Sequence, residues 1–336
     1  MDISSMTPEQ LAGQRLMIGF EGSALSADLK SAIETYQVGG LILFAGNIVS
    51  PPQLASLCRS AQSFARSIGL PPLFIAIDQE GGEVARLKPP FSQFPGNPSM
   101  TSLQDAVRFA EVTASELLTA GVNMNMAPVL DVAPKNSDSI MANRIFGNDP
   151  EWVSDMGVAV IEHLQKKKVM AVAKHFPGIG RTTVDSHIDL PHMTAPLESI
   201  EDFDLIPFRA AIEHQVSAVM LSHISYPEID DRWPASLSKR IALDLLRSQM
   251  GYRGVVMTDD LDMGAIKKYY PIEQVIERIV EANIDIALIC HQGPDISHGF
   301  RAFVHLLSGS TERMTMGRES VKRIFSLKQQ YLGTAC

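Results

Sequence analysis

Residues 217–260 read SAVMLSHISYPEIDDRWPASLSKRIALDLLRSQMGYRGVVMTDD. Two short apolar runs, Ser217 to Ser222 and Gly254 to Thr258, flank KRIALDLLRSQM, where apolar residues recur at helical spacing behind the capping residue Ser238. A strand, a crossover of helix length and a second strand form a βα repeat, the unit from which parallel sheets are built. Each strand runs into ionisable residues, His223 after the first and Asp259 with Asp260 after the second.

The pattern continues outward on both sides. Further candidate strands are Leu16 to Phe20, Val38 to Phe44, Leu73 to Asp78, Val122 to Val129, Met170 to Phe176 and Ile284 to Cys290. With the first two they number eight, the count that closes a (β/α)8 barrel. The expected fold is therefore α/β, a TIM barrel, as one domain over residues 1–336. An open doubly wound sheet shares the alternation, but the count and the lack of a glycine-rich phosphate loop after the first strand favour closure. Ser50 before Pro51 and Pro52 reads as a helix start, as does Thr7 with Pro8 and Gln10. Two insertions, Lys88 to Ser99 and Gly178 to Pro191, break the spacing, and long loops in compact domains often carry function.

Composition narrows the partners. Hydrophobic residues make up 45% of the 336 and charged ones 20%, enough apolar material for a continuous core. A net charge of -9 argues against a nucleic-acid partner, which needs clustered cations; the one basic run, Lys166 to Lys168, falls where a helix should end. No apolar run approaches a membrane span and the opening MDISSMTPEQLAGQ has no leader pattern, so no membrane partner and a cytoplasmic location are expected. Cys58, Cys290 and Cys336 show no paired spacing, so neither a disulfide framework nor a thiolate metal site is suggested, and no cofactor is expected. The default assembly is a monomer.

In a parallel barrel, chemistry gathers at the carboxyl ends of the strands. Those ends carry Asp78, Asp131, Lys174 with His175, His223, and Asp259 with Asp260. Singly, each suits a cap or a structural contact; convergence on one mouth has no structural need. In LFIAIDQEGGEVARL, Asp78 and Arg86 suit binding to vicinal hydroxyls, or an ion pair holding the loop. Arg144, in MANRIFGNDP, is placed to reach a sugar hydroxyl or to pair with Asp149. In VDSHIDLPH, Asp185 two residues before His187 can fix the imidazole tautomer, which makes an acid/base unit.

The blocks DQEGGEVARL, MNMAPVLDV, NRIFGNDP, KHFPGIG, DSHIDLP, MLSHISYPEID, PASLS and GVVMTDDLDMGAI, in order from about Gly39 to Ile289, resemble those of glycoside hydrolase family 3, specifically its single-domain β-N-acetylglucosaminidases of bacterial cell-wall recycling. The resemblance implies a retaining hydrolase of small carbohydrates or muropeptides, with Asp259 as nucleophile, His187 as acid/base and Asp185 as its partner. It implies Asp78, Arg86, Arg144, Lys174 and His175 as the sugar-binding set, with no metal. The family loop usually reads KHFPGHG; Ile179 departs from it, with altered loop packing or rate expected rather than lost chemistry. Three other readings stand beside this one. A GlcNAc phosphorylase or another β-glycosidase would use the same site, and an imidazole acid does not repel phosphate. A metal-dependent amidohydrolase would need an HxH pair at the first strand, where MIGFEG has none. A relative that binds sugar without turnover is the third.

Overall fold

The computed structural model describes residues 2–333. Its strands are β1 (Leu16–Ile18), β2 (Gly40–Leu43), β3 (Phe74–Ile77), β4 (Gln79–Gly81), β5 (Val84–Ala85), β6 (Met124–Asn125), β7 (Met170–Phe176), β8 (Ala218–Leu221), β9 (Val255–Asp260) and β10 (Ile286–Ile289). All but β4 and β5 pair in parallel and close a barrel of eight, with β10 bonded back to β1. The (β/α)8 fold read from the sequence is the one observed. The β4 and β5 segments form a small antiparallel hairpin beyond the end of β3.

The expected fourth strand, Val122 to Val129, keeps only the two ladder residues of β6. Pro128 has no N–H to give. Pairing resumes past it, where the Leu130 amide donates to the Lys174 carbonyl at 2.7 Å.

Helix starts follow their capping residues. Thr7 and Gln10 make a reciprocal capping box for Pro8–Gln14, and Ser50 with Gln53 does the same for Pro51–Ser67. Ser238 Oγ accepts from the Ile241 amide ahead of Arg240–Gln249, which is wound as a π-helix. Lys166 ends the helix Pro150–Lys166, where its charge suits the carbonyl end. Among the described residues no helix is long and apolar enough to cross a membrane. Cys58 and Cys290 are free and buried; Cys336 lies outside the described residues.

Alternation along the strands sorts the core into two shells. Met17, Ile42, Phe74, Ala76, Met124, Met170, Val172, Met220, Val255, Met257, Ile286 and Leu288 fill the barrel, while Leu16, Ile18, Leu41, Leu43, Ile75 and Ile77 pack outward against the helices. Six methionines, counting Met126, supply unbranched side chains that fit the tapering interior. The last helix, Thr311–Leu332, closes the amino-terminal end of the barrel, with Ile324 and Leu327 joining the inner shell. Its Lys328 is buried there, bonded to Gln14 Oε1 at 2.8 Å and 5.0 Å from the centre of the Phe74 ring.

Candidate active site

The inward parity of the strands decides what reaches the mouth. Counting on by twos gives Phe44 after Ile42, Asp78 after Ala76, Lys174 after Val172, Asp259 after Met257 and Cys290 after Leu288. All five line one cavity of about 300 Å³ at the carboxyl end of the barrel. Arg86, Arg144, His175, Asp185 and His187 line it too, so every residue singled out from the sequence as catalytic or sugar-binding borders the same space. His175, out of parity with Lys174, is admitted by a register irregularity between Ala173 and Phe176 in the β7–β8 pairing.

A charge network organises one wall. Lys174 Nζ sits 2.8 Å from Asp78 Oδ1 and 2.6 Å from Glu80 Oε1, and Arg144 forks onto Glu80 at 2.8 and 3.0 Å. Arg86 reaches Asp78 at 3.4 Å, so the ion pair anticipated for the loop exists at the mouth itself. Burial works against the Asp78 charge, but Lys174 and Arg86 outweigh it and hold the carboxyl down at about 2. Burial likewise opposes charge on Lys174, and Asp78 and Glu80 more than offset it, raising its pKa. The wall therefore keeps ionised groups of both signs facing the cavity.

Arg144 does not pair with Asp149, the alternative left open by the sequence. Asp149 instead caps Pro150–Lys166 through the Glu151 amide. Glu80 takes Arg144 because the β4–β5 hairpin folds back over the mouth. The Lys88–Ser99 insertion braces that hairpin: the Gly82 amide donates to the Phe94 carbonyl at 2.9 Å, and Asn97 Nδ2 donates to the Arg144 carbonyl at 2.7 Å.

Two strand-end residues stand behind the cavity rather than in it. His223 is 1% exposed and engages Ser236 Oγ at 2.6 Å and the Asp260 carbonyl at 2.9 Å, which commits both ring nitrogens to protein. Asp131 is 0% exposed and binds His175 Nδ1 at 2.7 Å. Ile179, buried against the core, lines the cavity with an apolar side chain, and its amide donates to Asp131 at 2.8 Å.

Asp259 and Asp260 are separated by parity. Asp259 continues the inward set, whereas Asp260 turns to accept from the Cys290 and Asp262 amides at 3.0 Å each. Burial pushes the Asp260 carboxyl up to about 6. Burial opposes charge on Asp259 as well, but His175, His223 and Lys174 outweigh it, and its pKa is lowered. An ionised carboxylate in the cavity is the form a nucleophile needs.

The Asp185–His187 pair stands at the rim. Asp185 Oδ1 binds His187 Nδ1 at 2.8 Å and the His187 amide at 2.9 Å, and the His187 side chain is 69% exposed. Its loop is clipped to the loop that follows Asp259: Gly264 N–H donates to the His187 carbonyl at 3.2 Å and Ala265 N–H to the Ser186 carbonyl at 3.1 Å. Glycine is required there, since a Cβ on Gly264 would fall 2.6 Å from the His187 oxygen. Sequence reasoning missed Glu80; its signal was available in DQEGG, two residues beyond Asp78.

The chain matches the Glycosyl hydrolase family 3 N terminal domain over residues 8–327. It is 36% identical over 289 residues to a β-hexosaminidase of Nitrosomonas eutropha, covering 83% of this chain and 81% of that one. It is 34% identical to β-hexosaminidase A of Pseudoalteromonas piscicida over 96% of its own length but 61% of the relative's. Among solved structures, a family 3 β-N-acetylglucosaminidase from Paenibacillus sp. superposes with a TM-score of 0.94 at 36% identity, over 99% of this chain and 64% of that one. The β-N-acetylhexosaminidase of Beutenbergia cavernae gives a TM-score of 0.89 at 27% identity, over 96% and 99%. The chain thus spans less than two thirds of some relatives and nearly all of others. With these matches, the closed parallel barrel with carboxylates and cations gathered at its mouth is that of a glycoside hydrolase. The chain belongs to glycosyl hydrolase family 3, in the company of that family's β-hexosaminidases.

Proposed function

We propose that this protein is a retaining β-N-acetylglucosaminidase that removes terminal non-reducing β-linked GlcNAc from small fragments of peptidoglycan turnover, as a cytoplasmic monomer. Asp259 attacks C1, and His187, aimed by Asp185, protonates the departing oxygen and then activates the water that releases the glycosyl-enzyme. Asp78, Arg86, Arg144, Lys174 and His175 hold the sugar through its hydroxyls. The observation that carries this reading is the pairing of an inward carboxylate, held ionised at the end of β9, with an imidazole on a loop clipped to the very next turn.

The preference for GlcNAc rests on what the relatives are named for, so it is tested directly by hydrolysis of an aryl β-GlcNAc beside the aryl β-glucoside. Asp259→Asn should fold as the parent and lose turnover; activity near the parent's excludes Asp259 as nucleophile. His187→Gly should lose most kcat/KM on natural glycosides and less on activated aryl glycosides, whose leaving groups need no proton in the glycosylation step. Equal loss on both contradicts the acid role. Sugar 1-phosphate formed in phosphate buffer would identify a phosphorylase using the same site.

A further inference from the structure

We propose that Asp131 is a positioning residue that decides which nitrogen of His175 faces the sugar; the inference rests on the reading of His175 as a sugar-binding residue. Asp131 does not border the cavity, but His175 does. Its carboxylate is wholly buried and accepts from three donors: His175 Nδ1 at 2.7 Å, the Ile179 amide at 2.8 Å and the His175 amide at 3.3 Å. A carboxylate only accepts, so Nδ1 is the donor in this contact and carries a proton. Nε2 is then the nitrogen left for the cavity, 3.5 Å from Arg144 Nη2. One buried group thus sets both the polarity of the ring and the turn through Ile179 that carries the loop toward Asp185.

Asp131→Asn separates these functions with almost no change of volume. If the amide oxygen stays on Ile179 N–H, the amide NH2 faces Nδ1 and drives the imidazole proton to Nε2, where it meets the Arg144 N–H donors. The opposite orientation sets the NH2 against the Ile179 N–H, a conflict that the backbone cannot relieve and the ring can. Reversal of the His175 tautomer is therefore the expected outcome.

The test is nitrogen NMR of protein labelled in histidine with 15N, with the His175 signals identified by their loss in His175→Asn, joined to kinetics on an aryl β-GlcNAc. Expected are a protonated Nδ1 in the parent, a protonated Nε2 with bare Nδ1 in a folded Asp131→Asn, and a fall in kcat/KM of about 10- to 100-fold, the scale on which orienting partners of functional histidines act. A bare Nδ1 in the parent overturns the proposal, and this holds even if the variant does not fold. An unchanged tautomer in the variant, or an unchanged kcat/KM, overturns it too. Because the nitrogen assignment needs no turnover, lack of activity on every glycoside would refute the functional reading while the tautomer still answered for Asp131.

Discussion

Gly264→Ala should uncouple the acid/base loop from the nucleophile. The Gly264 φ lies outside the left-handed region, so alanine meets no backbone strain and its effect is steric. The added Cβ falls 2.6 Å from the His187 carbonyl oxygen, 2.7 Å from that of Ile188 and 3.0 Å from the Ile188 carbonyl carbon, against 3.4 Å for ordinary contact. The two loops must part by roughly 0.8 Å, the shortfall from contact distance, and the hydrogen bonds from the Gly264 and Ala265 amides must stretch with them. A displacement near 1 Å at a reacting group costs up to about 100-fold in rate, so kcat/KM on a natural disaccharide should fall by about 10- to 100-fold. Stability should fall by about 1 to 3 kcal/mol, the usual cost of overpacking, because the added methyl meets backbone rather than the end of a flexible side chain. The assay compares kcat/KM, which reports the glycosylation step, on a disaccharide with that on an activated aryl β-GlcNAc, beside a urea melt. The aryl substrate should suffer less, since its leaving group needs little protonation. Unchanged kcat/KM on the disaccharide would refute the argument that this contact places His187; equal loss on both substrates would mean that Asp259 had moved instead.

Glu80→Gln removes the carboxylate that Lys174 and Arg144 share. Lys174 keeps Asp78 while Arg144 is left without its fork, so a loss of about 3 kcal/mol in urea unfolding is expected, at the low end for a broken buried pair. A change below about 1 kcal/mol would show that the network is not held by Glu80. Lys328→Met should stabilise the fold. Burial pushes the lysine down to about 7 in the folded state, while the unfolded chain holds the proton to about 10.5. The unfolded state therefore binds more protons between these values, and parent stability rises with pH across that window. The gain in the variant should be on the order of 3 kcal/mol at pH 7, constant below it and shrinking toward pH 10; a gain independent of pH would assign the effect to packing alone.

The strand sequences alone established much of the site. Alternation with a period of two is local, so the runs FIAI, MAVA and VVMT carry their own record of which residue at the end points into the barrel, once closure is assumed. That is why Asp78, Lys174 and Asp259 were legible as a set from the sequence. The capping pairs Thr7 with Gln10 and Ser50 with Gln53 were legible for the same reason, being contacts three residues apart.

What lay beyond reach were pairings between distant segments. Arg144 finds Glu80 across 64 residues of chain and Lys174 finds Asp78 across 96, and no local pattern distinguishes Glu80 from the nearby Asp149 as the partner. The hairpin that folds back from β3 decides it. Asp131 likewise read as one more ionisable strand end, and only the closed barrel shows it behind His175 rather than in the cavity. The sequence by itself determined the eight strand-and-helix repeats, the inward-facing acid at the end of β9 and the Asp185–His187 unit, because each depends on neighbours along the chain. Tertiary structure decided which charges pair, which histidine is sequestered and how the acid/base loop is clipped beside its nucleophile, because those contacts exist only after eight strands have closed and their loops have met over one mouth.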